Sequence, residues 1–154
     1  MATSAQKAKS QLSTLRHILE VSKGLQKFAT LLLERAEEHD ESKLEEPELS
    51  GFAEAEDLSK IEYDSDEYKA SLKLLEETLA HHYSKNRHHP GHWPNGIDDM
   101  DLIDLVEMFV DWSSSSGRNL NGNLLLTLNK NAERFKMSDQ LTSIFRNTIE
   151  RYFE

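Results

Sequence analysis

Apolar residues recur along this chain at the three- and four-residue spacing of amphipathic helices, and strand-like alternation is almost absent. The first periodic stretch covers about residues 10–38, with Ser22-Lys23-Gly24 as its expected break. His17, Val21, Leu25, Phe28, Leu32 and His39 fall on one face of it. Residues 40–66 are acidic, carry Pro47 and Gly51, and read as a connecting loop or lid with one short helix near residues 49–58. Asp64 and Glu67 have capping-box spacing and open a helix to about Arg87, with Tyr68, Leu72, Leu75, Leu79, His82 and Asn86 as its inward stripe. Pro90 closes that helix, because the residue before a proline is pushed out of helical space. Further helices are expected over residues 98–115, 120–135 and 138–153, the last with Ser138 as N-cap. The pattern predicts an all-α protein of five to six helices, residues 1–154 forming one domain.

Composition narrows the function. The 154 residues suffice for one core without covalent staples. A net charge of −10 disfavours long nucleic acid, while leaving room for a local basic pocket around one small phosphate. The absence of cysteine removes disulfides, thiolate zinc sites, iron–sulfur clusters and cysteine nucleophiles. No run approaches the roughly 18 apolar residues that span a bilayer, and residues 1–11 lack the apolar core of a signal peptide. No membrane partner and a cytoplasmic location are expected; the oligomeric state is left open.

Two features carry chemistry. The helix over residues 98–115 has Leu102, Ile103, Leu105, Val106, Phe109, Val110 and Trp112 around most of its circumference, which predicts a buried central helix. Asp104, Glu107 and Asp111 nevertheless line one face of it, and a row of carboxylates in an apolar setting calls for a cation opposite. Five of the seven histidines lie between His81 and His92. His82 sits on the inward stripe, and His88, His89 and His92 follow the helix end. Imidazole and carboxylate without thiolate suit a catalytic metal site rather than a closed structural zinc.

His39-Asp40 with Lys43 three positions on resembles the motif of the HD-domain metal-dependent phosphohydrolases. That resemblance implies an HD-domain-like helical fold and one or two divalent ions, with Mn, Fe, Co, Zn and Mg all open. It implies ligands from an upstream histidine (His17), His39, Asp40, the intervening His82, His88 and His89, and a distal acid, Asp111 or Asp104. Asp111 is preferred, lying 71 residues after Asp40. His17 precedes His39 by 22 positions, about 33 Å in a straight helix, so it needs a turn near Gly24 to share an ion. The chain is more closely similar to a family of small, functionally uncharacterised phage and bacterial proteins. The likeness lies in His39-Asp40 with Ser42-Lys43, His81-His82-Tyr83, Asn86-Arg87-His88-His89-Pro90, His92, and residues 100–108 with Asp111-Trp112.

The expected activity is metal-dependent hydrolysis of a small phosphoester, with a nucleotide favoured. Asp40, Lys43 and Glu107 are its candidate catalytic residues, Glu107 as a group that orients water. Lys43, Arg87, Arg118 and Arg134 are candidate phosphate contacts, and Tyr83 or Trp93 could stack on a base. The alternatives are a nucleotide-sequestering protein, a di-iron oxygenase-like redox enzyme on the same scaffold, and a helical structural protein with an incidental histidine patch.

Overall fold

The computed structural model describes residues 1–55, 66–117 and 123–153, which are helices and short connections with no strand among them. The helices are α1 (Ser4–Glu38), α2 (Glu48–Ala55), α3 (Asp66–Lys85), α4 (Leu102–Gly117), α5 (Leu124–Arg134) and α6 (Asp139–Tyr152). Single 3-10 turns at Glu41–Leu44, Pro90–His92 and Gly96–Asp99 join them. The all-α expectation holds. The residues named above at Asp64, Arg118 and Leu120 lie outside the described residues.

The chain forms two compact units, Met1–Glu37 and Glu38–Glu154. The first is α1. Thr3 and Gln6 start it with a reciprocal capping box: the Gln6 amide N–H donates to Thr3 Oγ1 (3.3 Å), and the Thr3 N–H donates to Gln6 Oε1 (2.8 Å). The expected break at Ser22-Lys23-Gly24 is absent, and α1 runs straight through it. One glycine costs a helix about 1 kcal/mol relative to alanine, too little to end 35 residues of it. His17 stands exposed on this unbroken stretch, without the turn that was to fold it back. No α1 residue is buried.

In the second unit α2 packs on α3, α4 on α5 and α5 on α6. Met108, Phe109 and Trp112 of α4 meet Leu128 of α5 and Phe145 and Ile149 of α6 in the core. Phe109 and Phe145 lie 5.2 Å apart, and Trp112 stacks parallel to Phe135 at 6.1 Å. The expectation that α4 is buried all round is corrected here. Leu102, Val106 and Val110, spaced four apart, are exposed, because α4 has core on one side only. Asp101 caps its start: Asp101 Oδ1 accepts from the Ile103 and Asp104 N–H groups, and Asp104 Oδ2 accepts from the Asp101 N–H. Ser138 caps α6 as expected, accepting from the Leu141 N–H.

The α2–α3 contact positions the candidate site. Gly51 is buried against Thr78, and a Cβ on Gly51 would fall on the Thr78 side chain. Only glycine leaves room at this position for the Thr78 side chain.

The core assignment makes a direct prediction. Leu128→Ala, at a side chain 1% exposed, should lower unfolding free energy by about 2–5 kcal/mol. Leu126→Ala, on the exposed side of the same helix, should change it by less than about 0.5 kcal/mol. Urea melts followed by circular dichroism read both, and equal effects would contradict the placement of α5.

Candidate metal centre

Asp40 is where the centre begins. It follows α1 in the left-handed backbone region (φ 56°), one of the few conformations that asparagine and aspartate tolerate better than most residues. This reverses the chain into the Glu41–Leu44 turn, closed by Lys43 N–H to Asp40 O at 2.9 Å. The Lys43 ammonium donates to Asp40 Oδ2 at 2.6 Å. Asp40 Oδ1 is buried and lacks a hydrogen bond, although His82 Nε2 lies 3.3 Å away and His88 Nε2 3.5 Å away.

His82 is aimed by a buried carboxylate. Glu48, at the start of α2, is 0% exposed. Its oxygens lie 2.8 Å from His81 Nδ1 and 2.8 Å from His82 Nδ1, and it accepts from the Ser42 hydroxyl at 2.9 Å. The Asn86 side-chain amide, also within 2.9 Å of His82 Nδ1, directs its two protons to Ser42 Oγ and the His82 carbonyl. The His82 Nδ1 proton therefore belongs to Glu48, and Nε2 carries a lone pair facing Asp40. His89 Nε2 stands 2.8 Å from that same Nε2.

Glu107 does the equivalent for two other rings. Its Oε1 lies 2.9 Å from His39 Nδ1 and 3.0 Å from His88 Nδ1. Both rings then turn Nε2 inward. His88 is 1% exposed, and its Nε2 has no hydrogen-bond partner. His39 Nε2 lies 3.5 Å from Asp40 Oδ2 and 4.0 Å from Asp111 Oδ1.

Three groups of donors have atoms within 4.8 Å of one another: Asp40, His82, His88 and His89; His39, Asp40 and Asp111; and His39, His88 and Glu107, the last joined by the Glu107 contacts just given. The first two are adjoining sets that share Asp40. Two buried polar atoms, Asp40 Oδ1 and His88 Nε2, face each other without a proton donor between them. Carboxylates of Asp40, Glu48, Glu107 and Asp111 border these imidazoles, and the Lys43 ammonium pairs with Asp40. Imidazole nitrogens and carboxylate oxygens are donors that a divalent cation takes. The residues fit such an ion.

Seven of the eight metal candidates lie in the second unit, and six of them converge: His39, Asp40, His82, His88, His89 and Asp111. His17 belongs to neither set. Asp104 does not converge with them either. It is 0% exposed and held bidentately by Arg87, Nε to Oδ1 and a terminal nitrogen to Oδ2, both at 3.2 Å. Arg87 also reaches Asp101 at 3.2 Å and lies over Trp93, so its guanidinium, 44% exposed, already holds two carboxylates of the fold. Glu107 touches imidazole nitrogens, which makes it a positioning group. His92 Nδ1 donates to the Tyr83 carbonyl at 2.8 Å and pins the loop. Glu48 was missed altogether.

A cavity of about 350 Å³ adjoins His89. Tyr83, Trp112 and Phe135 give it aromatic walls, and Thr127, Asn131 and Arg134 give it polar ones. Ser115 joins it to Asp111, their side-chain oxygens 3.4 Å apart.

The fold and site define an all-α protein with a histidine–carboxylate cluster suited to cations. The chain belongs to a family of unknown function, DUF5662, which matches it over residues 6–151. Comparison with curated proteins and with solved structures gave no match.

The electrostatics set a pH dependence. Burial, then the neighbouring His88 and His82, push His89 from 6.5 down to about 3. Burial alone would raise Asp40 and Glu48. For Asp40, the hydrogen bond and positive charge of Lys43 oppose it; for Glu48, hydrogen bonds from His81, His82 and Ser42 do so, and both carboxyls are lowered. In all three cases the folded chain binds fewer protons than the unfolded chain on the acid side. For His89 the loss of stability runs from pH 6.5 down to about 3; the carboxyls add theirs below their ordinary values of 3.8 and 4.5. Chelator-treated protein should therefore have a lower urea midpoint at pH 5 than at pH 7, with a further drop by pH 4. A midpoint that rose on acidification would contradict this.

Proposed function

We propose that the protein is a metal-dependent phosphohydrolase acting on a small phosphoester, with a nucleotide as the favoured substrate. The observation that carries the reading is the convergence of three histidines on Asp40, with Asp40 Oδ1 and His88 Nε2 buried and unpaired. The order His39-Asp40, His82, His88-His89, Asp111 also follows the ligand order of the HD-domain phosphohydrolases, the likeness noted in the sequence.

A divalent cation bound there supplies Lewis acidity toward a phosphoryl oxygen and brings the acidity of water toward neutrality. The remaining roles fall to the chain. Lys43, paired with Asp40 and with its side chain 41% exposed, is the ammonium assigned to a phosphoryl oxygen. The cavity beside His89 has the size and lining for a small ligand with a planar group: Tyr83 and Trp112 for the ring, Arg134 for an anionic group. Burial of His82 and His88 excludes water from the inner side of the cluster. Among the described residues no helix is long and apolar enough to cross a membrane.

Elemental analysis of untagged protein, purified without chelator, should find at least one divalent ion per chain, and Asp40→Ala should lose it. Protein loaded in turn with Mn²⁺, Co²⁺, Mg²⁺ and Fe²⁺ should then hydrolyse at least one member of a nucleotide and phosphoester panel. Arg134→Gln should raise KM more than it lowers kcat, as expected of a contact made equally in ground and transition states. Ligand returned unchanged on denaturation would favour sequestration instead. Oxygen consumption with an iron-dependent optical band would favour the redox alternative.

A further inference from the structure

Glu48 and Glu107 share a design that hydrolysis does not call for. Each is a carboxylate held between two histidine Nδ1 atoms, Glu48 between His81 and His82, Glu107 between His39 and His88. Their reach differs. Of the Glu48 pair, only His82 belongs to a donor set, the four-residue set of Asp40, His82, His88 and His89. Of the Glu107 pair, His88 belongs to that set and His39 to the adjoining one with Asp40 and Asp111. Both histidine contacts of Glu107 fall on one oxygen, Oε1, at 2.9 and 3.0 Å, so a shift of that oxygen moves both rings.

We infer that Glu48 and Glu107 are positioning residues with unequal duties: Glu48 orients the four-residue cation position alone, and Glu107 couples the two positions. This rests on the metal-centre reading above. The physical basis is the hydrogen bond on the far nitrogen. A carboxylate that accepts from Nδ1 fixes the tautomer, locks the ring and raises the basicity of Nε2. Loss of such a partner typically weakens metal binding by about 10–100-fold. Glu48 is fixed in turn by the Ser42 hydroxyl and by the Gly51–Thr78 approach of its helix, a scaffold that contributes no donor to the second position. Glu107 lies on α4, one turn before Asp111, the acid of the second set.

The test is a titration of metal-free full-length protein with Co²⁺, followed by calorimetry and by the visible d–d band. Wild type should take up two ions of different affinity. Glu48→Gln should weaken the tighter event about 10–100-fold and leave the other within threefold. Glu107→Gln should weaken both. Glu48→Gln acting on both events, or Glu107→Gln on one, overturns the division of duties; so does a single ion weakened equally by both variants. Wild type that binds no cobalt overturns the metal reading itself, whereas two normal binding events unmoved by either variant overturn only this assignment. The ¹⁵N spectrum of the histidines in metal-free wild type provides the same decision without any substitution. Protons on Nδ1 of His39, His82 and His88 support the assignment, and protons on Nε2 of any of the three overturn it.

Discussion

The cluster depends on the burial of one carboxylate. Glu48 has no solvent contact, and an ionised group in that position costs several kcal/mol unless its oxygens are hydrogen-bonded. His81, His82 and Ser42 supply those bonds. Meeting the demand of Glu48 fixes the His82 tautomer, and the tautomer decides where the Nε2 lone pair points. The cause lies further back in the sequence. Gly51 allows α2 to touch α3 at Thr78, and Glu48 sits one turn before Gly51 on the same helix. A steric fit, the Thr78 side chain against a residue without Cβ, thus sets the direction of an imidazole.

Helix α4 joins this chemistry to the core. Met108, Phe109 and Trp112 anchor one side of it among α5 and α6. The acidic row on another side looks uniform in sequence but divides into three separate tasks. Asp104 completes the helix cap and grips Arg87. Glu107 holds two imidazoles. Asp111 stands beside His39 as a prospective ligand. The pair of buried Asp104 and solvent-exposed Arg87 keeps the loop carrying His88 and His89 against α4, with Trp93 stacked on the guanidinium and its indole N–H on the Arg87 carbonyl. Removing Arg87 would strand the buried Asp104 carboxylate, so the pair works as a latch even if it adds little net stability.

Much of this was legible in residue order. Periodicity placed five helices within a few residues of their observed bounds, and Pro90 marked the end of α3. His82 was recognisable as inward because it continues the stripe of Leu75 and Leu79. The errors have specific causes. Gly24 suggested a break, but an isolated glycine rarely outweighs strong helix formers on both sides. The true start of α1 was readable in Thr3-x-x-Gln6, a capping box that was overlooked. Asp104 and Asp111 share one stripe, and periodicity cannot tell them apart; a long-range partner, Arg87, does. Asp101 three residues before Asp104 was the available local hint of a cap. Glu48 left no hint, being one acid among many in an acidic stretch, and its burial follows entirely from tertiary contact.

Proton counting explains why a hydrogen-bond network alone leaves this cluster incomplete. The Nδ1 protons of His82 and His88 are committed to Glu48 and Glu107. The two Nε2 atoms are then acceptors. One proton on His89 Nε2 can satisfy His82 across their 2.8 Å contact. Nothing equivalent serves His88, whose Nε2 faces Asp40 Oδ1 at 3.5 Å, acceptor against acceptor, with both atoms buried. A divalent ion would answer both lone pairs at once. Burial, then His88 and His82 packed at 4.1 and 4.7 Å between ring centres, account for the low proton affinity of His89.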